Sequence, residues 1–114
     1  MLLCREFTQK AYSLVREIST QEAIPLVILG NLRNLRFHHT LVTTNLCRAM
    51  AGLAGGSTNN REIQLSIENA EISLESCICS LAAIGRAIPD KQETIADILG
   101  LSEKIKCEIR MLFS

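Results

Sequence analysis

The sequence has almost no aromatic side chains and few residues that break helices. Its 114 residues include no tryptophan, one tyrosine, three phenylalanines and two prolines. The hydrophobic fraction is nevertheless 47%, so the apolar side chains are mainly aliphatic. This composition favours an all-helical protein. Surplus aliphatic surface in so short a chain also favours self-association, because exposed apolar patches are covered by partners.

The sequence also lacks an excess of charge of either sign. Twelve basic and twelve acidic side chains give a formal net charge of zero. A whole-protein field that attracts nucleic acid is therefore absent, although a local basic patch is compatible with this balance.

Signals for export or membrane insertion are missing as well. Charged residues follow the first four positions at once, which excludes the apolar region of a secretory signal. The apolar run at residues 23–29 is too short to span a bilayer as a helix. Five cysteines, an odd number, predict reduced thiols rather than a disulfide framework. We therefore expect a soluble, cytoplasmic protein with no membrane contact.

Apolar residues recur at alternating steps of three and four in four segments, which is the pattern of amphipathic helices. The four stripes are Leu3, Phe7, Ala11, Leu14 and Ile18, then Ile28, Leu32, Leu35, His39, Val42, Leu46, Ala49 and Leu53, then Ile63, Ile67, Ala70, Leu74, Cys77, Leu81, Ile84 and Ile88, and finally Ile95, Ile98, Ile105, Ile109 and Leu112. Short links join the segments. The sequence therefore predicts an all-α fold, a single up-down four-helix bundle over residues 1–114 with long second and third helices.

Local signals predict where these helices begin. Pro25 suits the first turn of the second helix, where its missing N–H costs nothing. Asn59 with Glu62 resembles a capping box for the third helix, and Asp90 with Glu93 repeats that spacing before the fourth.

A second apolar row runs along the third helix. Leu65, Ile72 and Cys79 repeat every seven residues on a flank of the main stripe. Two apolar rows on one helix indicate burial on more than one side. We therefore predict that these three residues lie in a subunit interface.

The second and third helices differ in charge. Arg33, Arg36 and Arg48 lie on the second helix, which has no acidic residue after Glu22. The third helix has an acidic row, Glu68, Glu71 and Glu75. This asymmetry favours contact of opposite signs between subunits, or a basic stripe for RNA with the three arginines as candidate ligands.

Arg33, Asn34 and His38 match the short pattern of HEPN ribonucleases, an arginine and a polar residue followed by a histidine. In those enzymes the arginine stabilises charge on the phosphate and the histidine serves in acid–base chemistry, in a site composed by two subunits. The alternative is that these residues form the solvated face of a helix.

His39 lies on the apolar stripe, where the more common arrangement is a buried histidine with a satisfied hydrogen bond. The alternative is a small polar pocket. No residues show the spacing of a metal site, since Cys77 and Cys79 point to different sides of a helix and the acidic row lacks Glu-x-x-His partners. We expect no metal and no cofactor.

The chain resembles the bacterial four-helix-bundle family that is encoded in intervening sequences of 23S rRNA genes. The resemblance covers residues 7–112. It rests on Phe7, Lys10-Ala11-Tyr12, Leu14-Val15, Leu35-Arg36, Asn45-Leu46, Glu62-Ile63, Ile67, Ala70, Ser73 and the aliphatic fourth helix. The chain departs from the family pattern at Thr43, where proline is frequent, at Arg48, where an acid is usual, and at Glu75, which stands alone instead of in a pair.

The resemblance implies a non-enzymatic bundle that forms a homo-oligomeric ring, often a pentamer, and binds a protein or nucleic-acid partner. Related proteins are the accessory variability determinants of diversity-generating retroelements, which contact a reverse transcriptase and its RNA. We therefore expect a self-associating module that binds a protein or RNA partner, as an accessory factor of a reverse transcriptase or mobile element. The alternative is a HEPN-type ribonuclease that uses Arg33 and His38.

Overall fold

Four α-helices contain most of the residues that the computed structural model describes, which are 2–21, 24–56 and 60–113. The helices are α1 (Leu2–Ser19), α2 (Leu26–Ala54), α3 (Asn60–Ala87) and α4 (Gln92–Phe113), with a single 3-10 turn at Pro89–Lys91 before α4. No strand occurs in these three ranges. The predicted all-α fold with long second and third helices is confirmed.

Each helix contacts its neighbours in the chain, and α1 also contacts α4, which closes the bundle. Within the described ranges the diagonal pairs, α1 with α3 and α2 with α4, have no Cα atoms within 8 Å of each other. The α2–α3 contact is the most extensive. Successive bonds show that neighbouring helices are antiparallel. Cys4 of α1 pairs with Thr43 of α2 whereas Thr8 pairs with His39, and Asn34 of α2 pairs with Ser80 of α3 whereas His38 pairs with Ser73. The result is an up-down rod of 51 × 21 × 18 Å.

Most residues of the predicted stripes are buried in the core, together with Cys4, Val15 and Leu101, and only two stripe residues are exposed. Leu53 is 51% exposed and Leu112 is 50% exposed, so their predicted burial is wrong. Both lie on the stripe but near the end of a helix. Because the Thr43 hydroxyl reaches the Cys4 carbonyl near the start of α1, the last two turns of α2 extend past α1. A stripe residue is buried only where a neighbouring helix lies against it.

The helix starts differ slightly from the predictions. Pro25 precedes α2 instead of lying in its first turn, and its carbonyl accepts a hydrogen bond from the Ile28 amide at 3.1 Å. Asp90 lies in the 3-10 turn, one turn before α4 begins at Gln92. The predicted cap Asn59, like Glu22, lies outside the described residues.

The end of α3 follows the prediction from Pro89. The residue before a proline is driven out of helical geometry, and Ile88 has φ −127° and ψ 83°. In the described part of the chain, no helix is long and apolar enough to cross a membrane.

Candidate functional site

Hydrogen bonds between α2 and α3 determine the register of the two long helices. The Asn34 amide donates to the Ser76 hydroxyl and the Ser80 hydroxyl, each at 2.8 Å, and to the Ser76 carbonyl at 3.2 Å. One turn further along α2, the His38 Nδ1 lies 3.2 Å from the Ser73 hydroxyl. Small serine side chains allow close approach of the two helices. The segment of α2 from Asn34 to His38 therefore lies level with the segment of α3 from Ser73 to Ser80.

Beyond these bonds, away from α1 and α4, the helix pair presents a surface that we call the outer face. Its α3 half carries the predicted row of Leu65, Ile72 and Cys79, all exposed. Ile72 is 64% exposed, although it lies near the middle of a long helix. The row is therefore available for contact with another molecule.

The α2 half of the outer face contributes an aromatic side chain that the sequence analysis did not identify. Phe37 is 64% exposed, and its ring lies edge-on to that of His38 with centroids 5.0 Å apart. The only signal for it in the sequence is that residue 37 does not belong to the core stripe of α2, which indicates an exposed side chain. The neighbouring residues Arg33, Arg36, Thr40 and Leu41 line a shallow depression beside Phe37.

The structure brings together two of the three candidate RNA-binding arginines. Arg33 and Arg36 line the depression beside Phe37, whereas Arg48 lies about 18 Å further along α2 from Arg36. Arg48 lines a different groove, with Glu62 and Leu65 of α3. All three arginines are exposed.

The acidic row lies along the opposite border of the outer face. Glu68, Glu71 and Glu75 are all exposed. Lys106 of α4 pairs with the Glu75 carboxylate at 2.6 Å, and this hydrogen bond raises the pKa of Lys106. The Glu75 side chain stays 57% exposed, so its carboxylate remains accessible from outside the bundle.

The two residues of the ribonuclease pattern are not brought together within one chain. Arg33 lines the depression on the outer face, whereas the half-buried His38 faces Ser73 across the α2–α3 contact. His38 is not among the residues that line that depression. A catalytic arrangement of this pair would therefore need groups from a second subunit.

His39 is buried, with only 4% of its surface exposed, but it is not satisfied as predicted. Its Nδ1 has no hydrogen-bond partner among the described residues. The adjacent Thr8 hydroxyl does not bond to the His39 ring. It donates to the His39 carbonyl at 3.4 Å and shares a hydrogen bond with the Thr43 hydroxyl at 3.0 Å. The nearby aromatic ring of Tyr12 offers only an edge contact, at 6.5 Å between centroids. Burial lowers the pKa of His39.

The cysteines divide into two buried and three exposed thiols, and none of the five forms a disulfide in the structure. Burial raises the pKa of Cys4 to about 11 and that of Cys77 to about 12, so both are protonated and unreactive at neutral pH. Cys47, Cys79 and Cys107 are exposed.

No cluster of three or more metal-ligating side chains occurs in the part of the chain that the structure describes.

Comparison with known proteins finds no family model, no curated protein and no solved structure that matches this chain. The resemblance to the intervening-sequence family therefore stays a prediction. The function has to be argued from the geometry of the outer face.

Proposed function

We propose that the chain is a non-enzymatic interaction module that self-associates through the outer face of α2 and α3. The observation that carries this proposal is the exposure of Phe37 and Ile72 on the two longest helices, which share the most extensive contact in the bundle. Burying an apolar side chain of this size stabilises a complex by about 1.5–3 kcal/mol. Leu65 and Cys79 extend the same surface.

The opposite side of the bundle supports this choice of surface. Between α1 and α4, Lys10 pairs with Asp97 and Lys91 pairs with Glu17. The groove between those helices is lined mainly by polar and charged residues, which include the paired Lys10, Asp97 and Glu17. The outer face instead combines unpaired apolar area with charges of both signs along its borders.

A second copy of this chain is the partner that the charges favour. The chain as a whole is neutral. Arg33 and Arg36 lie on one border of the outer face, and the glutamates of α3 lie on the other. Such a surface is complementary to itself, whereas a strongly basic or acidic partner would meet repulsion at one border.

The proposal is tested by light scattering over a range of protein concentrations at low and high salt. We expect an oligomer whose mass persists in high salt, because the central contacts are apolar. Ile72→Asp should dissociate it while leaving the helical circular dichroism and the melting transition of the monomer intact. Met111→Asp is the matched control, because Met111 is 82% exposed on α4. A wild-type monomer at every concentration, or an Ile72→Asp oligomer, would refute the proposal.

RNA binding is a second candidate function, and the observation that favours it is the position of Phe37 beside Arg33 and Arg36. An exposed aromatic ring stacks on bases while neighbouring arginines contact phosphates. Binding of single-stranded RNA should then weaken steeply with salt. Replacing both arginines with alanine should reduce that salt dependence, whereas the exposed Arg16 on α1 serves as the control. Equal RNA binding by the wild-type protein, the double arginine variant and the Arg16 control variant would eliminate this candidate function. The expected role beside a reverse transcriptase rests on the same RNA binding, so that result would eliminate it as well.

The ribonuclease alternative has a direct test of its own. Incubation with single-stranded RNA should give cleavage that His38→Ala abolishes. Cleavage that survives this substitution would eliminate the assigned role of His38, and no cleavage by the oligomer would eliminate the activity.

A further inference from the structure

We propose that two copies associate face to face about a two-fold axis parallel to the helices, so that α2 of each copy lies on α3 of the other. This inference rests on the proposed self-association and specifies its geometry as a two-fold dimer, in place of the ring that the family resemblance implies. It predicts that Arg36 of one copy pairs with Glu75 of the second copy, in two equivalent contacts.

The side chains across the outer face follow a definite order of charge. Arg33 and Arg36 form one border, on α2. Phe37 and Ile72 lie between the borders, on either side of the α2–α3 contact. The glutamates of α3, including Glu75, form the other border, next to α4. At the height of Arg36 and Glu75, a line across the face therefore runs from basic through apolar to acidic.

This order distinguishes the two ways in which one face packs on itself with two-fold symmetry. If the axis runs across the helices, α2 packs on α2 and the arginine borders meet each other. If the axis runs along the helices, α2 packs on α3 and each arginine border meets a glutamate border. Juxtaposed charges of like sign cost several kcal/mol in an interface. The charges therefore select the axis that runs along the helices.

The register of α2 and α3 then identifies the residues that meet. A two-fold axis parallel to the helices leaves every residue at its own height along the rod. Arg36 lies between Asn34 and His38, whose partners Ser73 and Ser76 bracket Glu75. Arg36 is therefore level with Glu75 and meets the Glu75 of the second copy. By the same register, Phe37 of one copy packs near Ile72 of the other.

The outer face is large enough for such a dimer. One long side of a rod with extents of 51 and 21 Å has a projected area of about 1,000 Å². A stable interface of ordinary size needs roughly 800 Å² from each partner. The apolar centre and both charged borders fit within that area.

Charge reversal tests this geometry. Arg36→Glu and Glu75→Arg should each weaken self-association on the order of tenfold, because each places like charges together in both contacts. Mixing the two variants should restore association to near the wild-type level, since each reversed residue then meets an opposite charge in the other chain. A single chain that carries both reversals should also associate. The controls are Lys104→Glu and Glu93→Lys, which make the same charge changes at exposed positions on α4.

A second measurement does not depend on charge or on the Glu75–Lys106 pair. In a chain whose exposed Cys47, Cys79 and Cys107 are replaced with serine, Phe37→Cys mixed with Ile72→Cys should form a disulfide between chains under mild oxidation. Each variant alone should not. The Phe37→Cys variant alone would form the disulfide if α2 packed on α2.

The outcomes separate the geometry from the proposed function. Failure of the mixture to restore association, in an oligomer that Ile72→Asp still dissociates, would overturn this geometry and leave self-association standing. A mixture of Arg36→Glu with wild-type protein keeps one repulsive contact of two in the proposed geometry, so association should recover only in part. Recovery to the wild-type level or above would indicate α2-on-α2 packing and would also overturn the proposed geometry. A monomeric wild-type chain, with or without RNA bound to the outer face, would overturn both proposals.

Discussion

Replacing His39 with leucine should stabilise the protein, because the wild-type ring keeps a polar atom buried without a partner. His39 lies between the fully buried residues Leu35 and Val42 on the core stripe of α2. Its Nδ1 lacks a hydrogen-bond partner among the described residues. A buried polar atom without a partner costs about 1–3 kcal/mol. Leucine is similar in size and has no polar atom, so His39→Leu should raise the free energy of unfolding by about 1–2 kcal/mol at pH 7.5.

The same substitution should change how stability depends on pH. Burial lowers the pKa of His39 in the folded state below the ordinary value of 6.5. The unfolded chain then binds a proton first as the pH falls through 6.5, so wild-type stability is present above that pH and decreases below it. One such group lowers the free energy of unfolding by at most about 1.4 kcal/mol between pH 7.5 and 5.5. His39→Leu removes this term, so its advantage over wild type should grow at pH 5.5.

Urea unfolding at pH 7.5 and 5.5 measures both effects. His39 and its leucine replacement are compared in chains that also carry Ile72→Asp, at low protein concentration, so that association makes no contribution. His38→Ala is the matched control, because His38 is half-buried and contacts Ser73. That variant should lose stability at both pH values. A His39→Leu protein that is less stable than wild type, or whose advantage is the same at both pH values, would refute the reasoning.

Three further predictions concern the long helices and the turn between them. Asn34→Ala should lower the free energy of unfolding by about 1–2 kcal/mol, because its amide is the donor to two serine hydroxyls of α3; an unchanged urea midpoint would contradict this. Gly30→Ala should raise the melting temperature, since Gly30 lies within α2 and a Cβ there meets nothing within 4 Å. Gly56→Ala should lower it by a similar amount, because Gly56 has a φ of +67°. Shifts of the same sign in both glycine variants would show that backbone conformation does not decide the outcome.

The sequence predicted the four helices because helix formation is largely local. The alternation of apolar residues in steps of three and four identifies the buried side of each helix without knowledge of its neighbours. Short links between such segments predict antiparallel neighbours. The same logic placed Leu65, Ile72 and Cys79 away from the core, and all three are exposed. Whether they meet a second subunit is still a prediction.

The sequence by itself therefore determined the number of helices, their approximate bounds and the side of each that enters the core. The tertiary structure alone decided what depends on how far one helix extends beside another. It left Leu53 and Leu112 exposed and kept the Nδ1 of His39 without a partner. It also placed Phe37 and Arg36 level with Ile72 and Glu75. The physical reason is that the period of a helix assigns a direction to each side chain, whereas burial, pairing and height along the bundle depend on atoms of other helices that are distant in the chain.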